Sequence, residues 1–367
     1  MKVTISRSEL VNLIGKIQNV VPSKPAIPIL SNILIEASGS QLIISATDLI
    51  VSMRACIDAK VSKEGSITLP ARRFFQLVRE LTTPVVDVET SENGVASITS
   101  GSSHFKLHGM NKSEFPEFPD LASATHFTSD SSLLKDMLSR TAFAAAKDDS
   151  RQVLNGICTE IQGNILTLIG TDGKKLAKVH NQIPFESSKK IQFVIPLKAV
   201  EEMIRILEDG AQAKFTMMND KVALESGSLC LITKLLAGQY PDVARIFPDK
   251  HNMKVINLHK EELATLLRQV SLFMSELTQS VKFSFQNGQL KLQAVSNDIG
   301  EGKVSMPVDY NEGKLDIAFN PYFFIDILKH CKDETASFGL TDSYNPGLIT
   351  DSSSAQYVIM PMRLSLD

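Results

Sequence analysis

Apolar residues recur along this chain with two periods, and the two alternate. Leu10, Leu13, Ile14 and Ile17 stand at i, i+3, i+4 and i+7, the spacing that lays one face of a helix against a core. The pattern returns at Leu133, Leu134, Met137 and Leu138 before Ala142, and again at Leu263, Leu266, Leu267 and Val270. A second set of helix-like runs lies at Phe74, Phe75, Leu77, Val78 and Leu81, at Val200, Met203, Ile204 and Leu207, and at Phe323, Phe324, Ile327 and Leu328. Six helices are therefore predicted, over 6–21, 71–81, 131–147, 197–207, 260–274 and 321–332. Between them the period drops to two, as in Ile33 and Ile35 or Leu42 and Ile44, which predicts many short strands. Many strands with few helices favour antiparallel α+β layers over a doubly wound parallel sheet.

The punctuation of these runs repeats three times. A two-residue turn precedes an apolar strand at Gly39-Ser40 (before Leu42), Gly163-Asn164 (before Leu166) and Asn287-Gly288 (before Leu290), and the three leucines are spaced by 124 and 124. Glycine and asparagine suit such turns because they tolerate positive φ. Pro70, Pro196 and Pro321 follow strand-like runs, precede helix-like runs, and are spaced by 126 and 125. Proline fits the first helical turn, where no N–H partner is needed. Phe115-Pro116 and Tyr240-Pro241 add a marker 125 apart in the first two copies. A chain written three times predicts three similar domains. Polar stretches near 119–126 and 248–254 place their limits at 1–120, 127–248 and 253–367.

Charge changes this picture only when it is mapped. The whole chain carries 38 basic and 41 acidic side chains, a net −3 that does not announce nucleic acid. The six predicted helices carry +6, which leaves −9 on everything else. Acidic outside and basic along its helices, such a protein would repel DNA generally and accept it against the helical face. Lysine and arginine are also good helix formers, so the excess alone leaves both readings open. No base-reading motif accompanies it, and any DNA would be held through its phosphates. The four cysteines (Cys56, Cys158, Cys230, Cys331) form no C-x-x-C pair and fit thiols packed as small apolar groups in a reducing cytosol. No apolar stretch suits a signal peptide or a membrane span, and a cytoplasmic protein is expected.

Candidate chemistry is sparse. Asp48 and Asp172 follow strands at equivalent places, with Asn297-Asp298 near the third, but aspartate there reads as a turn residue bonding its own backbone. Repetition also puts these acids in different domains. His104 and His108 lie in an alternating stretch without helical ligand geometry or an acidic partner. Nucleophile elbow, Walker loop and dinucleotide fingerprint are absent, and no metal or cofactor is expected.

The ending Tyr357–Leu364 (YVIMPMRL) is a specific signal, joined by Leu154-Asn155-Gly156, Thr171-Asp172-Gly173, the two aromatic–proline pairs and Pro28-Ile29-Leu30-Ser31-Asn32. On these residues the chain resembles the beta subunits of bacterial DNA polymerase III, the sliding clamps, over essentially its whole length. The resemblance implies the DNA-clamp fold, three domains with two inner helices and outer antiparallel sheets each, closed into a ring by two chains head to tail. With helices ~10 Å wide lining the hole, six leave a bore of about 9 Å and twelve about 28 Å, against a duplex roughly 20 Å across. Two chains fit. The function implied is processivity: a closed ring tethers the polymerase to double-stranded DNA without catalysis and without reading sequence.

Position by position, the resemblance carries over three kinds of site. DNA contacts fall on Lys24 and Arg73, with Lys147 as a further candidate. A pocket for short peptides of the polymerase catalytic subunit, the clamp loader and repair proteins falls on Leu154, Thr171, Gly173, Leu176, Pro241, Arg245, Ile246, Tyr344, Pro346, Val358, Met360, Pro361, Met362 and Arg363. Phe105 and Leu107 of the first domain would meet Leu272 and Phe273 of the third across the dimer contact. The chain departs from the pattern at Gln152-Val153, where aromatic residues occur in some relatives, at Lys174-Lys175, and in the trailing Ser365-Leu366-Asp367. An enzyme on a repeat scaffold and a scaffold that never touches DNA are the alternative readings. Clustered acids in one cleft would favour the first, and retention on linear as well as circular DNA would count against a clamp.

Overall fold

The computed structural model describes residues 1–91, 93–119, 121, 124–275 and 278–363. Among them six α-helices form where the apolar spacing predicts: α1 (Arg7–Ile17), α2 (Ala71–Glu80), α3 (Ser131–Ala142), α4 (Leu197–Ile206), α5 (Lys260–Ser271) and α6 (Pro321–His330). All are shorter than predicted. Val20 and Val21 after α1, and Ala144 to Ala146 after α3, are buried without helical backbone, so apolar spacing overruns the true ends. Charge follows the shorter helices. Lys147 and Lys332 lie beyond α3 and α6, so the helices carry +4 instead of +6.

The chain divides into two compact units, Met1–Lys135 with Lys198–Leu235, and Asp136–Leu197 with Leu236–Asp367. The cuts fall inside α3 and at the start of α4, so the second repeat contributes to both units. In the first unit a five-stranded sheet runs Lys60–Lys63, Lys2–Ser6, Val85–Thr90, Val95–Ser100, Ser103–His108. Its eight-stranded sheet runs Thr125–Asp130, Gln212–Met217, Lys221–Ser226, Leu229–Lys234, Val51–Asp58, Gln41–Thr47, Asn32–Ser38, Gly65–Pro70. In the second unit a six-stranded sheet runs Gly156–Thr171, Lys175–Pro196, Gln356–Ile359, Gly347–Thr350, Thr335–Leu340, Lys254–His259. Its four-stranded sheet runs Gly300–Pro307, Gln289–Ser296, Val281–Gln286, Leu315–Phe319. These strands pair antiparallel, as the alternation predicts.

The threefold repeat is written in the backbone more clearly than in the side chains. Each first helix opens with the same bond to the chain beyond the second helix: Arg7 N–H to the Pro84 carbonyl (2.9 Å), Ser131 to Ala211 (3.0 Å) and Lys260 to Glu334 (2.8 Å). The strand leading into each pairs antiparallel with the strand after the second helix. Gly39 (φ 59°), Gly163 (φ 59°) and Asn287-Gly288 (φ 51° and 73°) take the left-handed backbone expected of the marker turns. Gly163 does so at a register break within the long strand Gly156–Thr171. The proline marker needs correction. Pro321 is the first residue of α6, but Pro70 and Pro196 are the last residues of their strands, paired with Asn32 and Gly156.

One turn repeats atom for atom. The Thr47 hydroxyl donates to the Val51 carbonyl (3.2 Å) and accepts from the Leu49 N–H (3.0 Å); the Thr171 hydroxyl does the same with Lys175 (2.7 Å) and Gly173 (3.1 Å). Asp48 accepts from the Ile50 and Val51 N–H groups, and Asp172 from those of Lys174 and Lys175. Both aspartates are turn residues, as expected. Both turns need a positive φ at the third residue, 83° at Gly173 and 76° at Leu49. A side chain at Leu49 makes that conformation costly, by about 1–2 kcal/mol.

The helix α3 departs from a plain amphipathic face. Leu134, Met137 and Leu138 are buried as predicted, and so is Arg140. Its guanidinium donates from Nη2 to Asp351 Oδ2 (2.5 Å), from Nη1 to the Ser353 hydroxyl (2.7 Å) and from Nε to the Tyr357 hydroxyl (3.0 Å). The Tyr357 hydroxyl in turn donates to the His330 carbonyl (3.1 Å), and the Lys332 N–H donates to Asp351 (2.8 Å). The His330 ring stacks on Phe143, centroids 4.2 Å apart. One buried cation thus ties α3 to the end of α6 and to the turn before Gln356–Ile359.

Arg140→Met leaves Asp351 buried without its counter-charge, and the expected loss is about 3–5 kcal/mol of unfolding free energy, read from urea midpoints. Adding Asp351→Asn should recover part of it. Acid acts on the same network. Burial holds the His330 imidazole below its ordinary pKa. Burial also works against the Asp351 carboxylate, but the Ser353 and Lys332 donors and Arg140 outweigh it and hold its pKa below the ordinary value. Both groups bind protons less readily folded than unfolded, so stability falls as pH drops below about 6.5 and again through the carboxylate range. A Tm that stays flat from pH 7 to 4 would contradict this assignment.

Candidate partner-binding groove and interaction surfaces

The strand Gln356–Ile359 is where the groove begins. It pairs on one side with Lys175–Lys178, Leu176 opposite Val358, and on the other with Gly347–Thr350. Leu154, Leu176 and Val358 are buried together with Tyr240 and Val243, and Ile246 and Phe247 pack on that cluster. The Tyr240 hydroxyl donates to the Ile169 carbonyl (3.3 Å), which anchors the connector running on through Pro241. Above this apolar floor lies a cavity of about 630 Å³ lined by Arg245 to Asp249, Asn252, Thr341, Asp342, Asn345, Pro346 and Met360. That volume lies within the range of sites that hold small ligands or short segments.

The expected pocket residues sort into three positions. Arg245, Ile246, Pro346 and Met360 line the cavity. Leu154, Leu176, Val358 and Thr171 are buried beneath or beside it. Gly173 forms the exposed turn next to Arg151, and the Met360 N–H donates to the Lys174 carbonyl (2.9 Å), bringing that turn to the Met360 wall. Pro241 is exposed just after buried Tyr240, and Tyr344 stands 88% exposed in the loop after Asp342. Pro361 follows the wall, Met362 donates its N–H to the Ala318 carbonyl (2.7 Å), and Arg363 is exposed. These last three lead the chain away from the cavity lining towards the four-stranded sheet. Val153, at the departure from the aromatic pattern, packs on the apolar floor. Ser365-Leu366-Asp367 lie outside the described residues.

Several lining residues were missed from sequence: Phe247, Pro248, Asp249, Asn252, Thr341, Asp342 and Asn345. The signal was present as turn chemistry. Asp342 accepts from the Tyr344 and Asn345 N–H groups (2.7 and 2.8 Å), and Asp249 from the His251 N–H (3.0 Å). In sequence PDKHN read only as a domain limit.

Two terminal sheet strands, one in each unit, carry the residues expected at the dimer contact. Ser103–His108 ends the five-stranded sheet, with Phe105 and Leu107 opposite buried Ile98 and Ala96. Phe105 is 40% exposed. The His104 ring nitrogen pairs with the Thr99 hydroxyl (3.2 Å), and His108 is exposed. Gly300–Pro307 ends the four-stranded sheet, and a Cβ built on Gly302 would fall 2.6 Å from the Phe273 ring, so that ring lies against this edge. Leu272 beside it is 73% exposed. The candidate DNA residues are all exposed: Lys24 in the loop before the turn Pro28–Ser31, Arg73 on α2, and Lys147 after α3. Lys24 and Arg73 belong to the first unit and Lys147 to the second.

Residues 1–119, 128–242 and 244–363 match the N-terminal, central and C-terminal domains of the DNA polymerase III beta subunit. The beta sliding clamp of Chlamydia muridarum is 49% identical over 367 residues, covering all of both chains. That of Haemophilus influenzae is 30% identical over 368 residues, 99% of this chain and 100% of its own. Among solved structures, the DNA polymerase III beta subunit of Pseudomonas aeruginosa superposes with a TM-score of 0.94 at 28% identity, over 99% of this chain and all of that one. A clamp of Bartonella birtlesii bound to griselimycin gives 0.94 at 30% identity, over the same shares. With its three domains matched in order and whole-length relatives at this identity, the chain belongs to the DNA polymerase III beta subunit family, the beta sliding clamps.

Proposed function

We propose that two copies of this chain pair head to tail into a ring around double-stranded DNA. As a family member the chain is a processivity factor of DNA polymerase, a subunit without catalysis of its own. The observation that carries the ring is its pair of open sheet edges, each flanked by exposed apolar side chains. An unpaired edge strand is a template for association unless it is covered. Joining Ser103–His108 of one copy to Gly300–Pro307 of the other would fuse five strands to four, with Phe105 and Leu107 set against Leu272 and Phe273. Such a contact uses different surfaces on the two copies and closes after two. A charge at Phe105 should open it: Phe105→Asp is expected to run as a monomer in light scattering at micromolar concentration while keeping its circular dichroism spectrum.

Encirclement makes retention topological, so the DNA contacts can stay weak and blind to sequence. Lys24, Arg73 and Lys147 would meet phosphates through water, which permits sliding. Loaded onto circular DNA, the protein should be retained and then released when the circle is cut. Retention on the linear form would favour a scaffold or an ordinary DNA binder.

The groove is the docking site for short peptides of the polymerase catalytic subunit, the clamp loader and repair proteins, in the cytoplasm where replication proceeds. Its apolar floor supplies the affinity, and Met360 on its wall is a flexible side chain suited to many related segments. Met360→Glu places a charge on that wall. It should weaken a partner peptide at least tenfold in fluorescence anisotropy, with no change in Tm beyond about 1–2 °C. An unchanged Kd would remove the groove from this role.

A further inference from the structure

The eight-stranded sheet joins the first repeat to the second through one strand pair, Val51–Asp58 against Leu229–Lys234. Its register sets Cys230 opposite Arg54, and two residues further on the Cys56 N–H donates to the Ser228 carbonyl (3.1 Å). Side chains two apart on a strand share a face, so Arg54, Cys56 and Cys230 stand together, with the two thiols on a diagonal. Both thiols are free and half-buried, and both line a cavity of about 530 Å³ that Arg54 and Glu225 also border. No sequence spacing marks the pair, because register alone makes it.

The geometry restricts what the pair can hold. A diagonal puts Cα atoms ~7–8 Å apart, wider than a disulfide usually spans. An ion between the sulfurs closes that gap, since two metal–sulfur bonds of ~2.3 Å add about 4.6 Å of reach. Among the described residues no three or more histidine, cysteine or carboxylate side chains gather for a metal, so an ion that demands four protein ligands is not served. Glu225, opposite Cys230, is already ion-paired with Lys214 (2.9 Å). Burial pushes both thiols up, Cys230 to about 12, with Arg54 working in the other direction, so neither waits as a reactive thiolate. Arg54 itself lies over the Phe118 ring (4.1 Å to the centroid) and donates from Nε to the Ser45 hydroxyl (3.4 Å). Among the described residues no carboxylate pairs with it.

We propose that Cys56 and Cys230 form a two-coordinate site for a soft monovalent cation, copper(I) in a cell, with Arg54 as the counter-charge. The ion displaces both thiol protons to solvent, M⁺ + 2 RSH → M(SR)₂⁻ + 2 H⁺, with no change of oxidation state. The complex carries one negative charge, which the Arg54 guanidinium offsets; a divalent ion would leave it neutral and the arginine without a partner. Thiolates select copper(I) over harder ions. Because the two sulfurs belong to different repeats, the bound ion staples the seam between them.

The test uses the full-length protein, reduced and free of oxygen, with bicinchoninate as the competing copper(I) probe. One equivalent should bind. Cys56→Ser or Cys230→Ser alone should lower affinity about a hundredfold, to the level of the double variant, and Arg54→Met about three- to tenfold. Cys158→Ser, at a buried thiol outside the cavity, should bind as the unaltered protein does. X-ray absorption on the unaltered protein should show two sulfur neighbours per copper, a readout that needs no variant to fold. Undiminished affinity in either cysteine variant or in Arg54→Met overturns the proposal. So does any other sulfur count, zinc(II) bound as tightly as copper(I), or no copper taken from bicinchoninate.

Discussion

The strand Gln356–Ile359 is hydrogen-bonded along both edges, and the groove depends on that pairing. On one side it holds a hairpin from the second repeat, on the other the strands of the third, so a single short segment makes one sheet of both. The floor residues Leu176 and Val358 face one another only because of this register. Four residues of strand are a weak hold by themselves. The buried guanidinium of Arg140 reinforces them by fixing Tyr357 and the turn at Asp351, and its own desolvation is offset by three hydrogen bonds. Stability and the groove floor meet in the same few residues.

Much of this was legible in the sequence, and the limits have physical causes. Leu10, Leu13, Ile14 and Ile17 predicted α1 because a helix must turn one face inward, and all four are buried. Helix ends were less legible, because apolar burial continues past them at Val20 and Ala144. Arg140 could not be read as buried, since its partners Asp351, Ser353 and Tyr357 lie more than 200 residues away. The apolar half of the groove, Leu154, Leu176, Ile246 and Val358, followed from the family resemblance. Much of its polar lining did not, because Asp249 and Asp342 look like ordinary turn residues until the cavity brings them together.

The division of labour between surfaces follows from the same chemistry. Apolar pairs sit beside the strand edges, where backbone groups supply direction and side chains supply only area. The groove reverses the order, with a closed floor and polar walls. Exposed basic side chains occur in both units, Lys24 and Arg73 in the first and Lys147 in the second.

Thr47-Asp48-Leu49 and Thr171-Asp172-Gly173 share the hydrogen bonds that close the turn, yet only the second has the residue its backbone prefers. The same backbone is held by different residues at its strained position. The copy with glycine is the one beside the groove, where an added Cβ would meet the Arg151 guanidinium at 3.3 Å. The copy with leucine carries the steric cost of that conformation. A side-chain cap and a backbone bond across three residues are enough to keep this bend closed whichever residue stands at its crest.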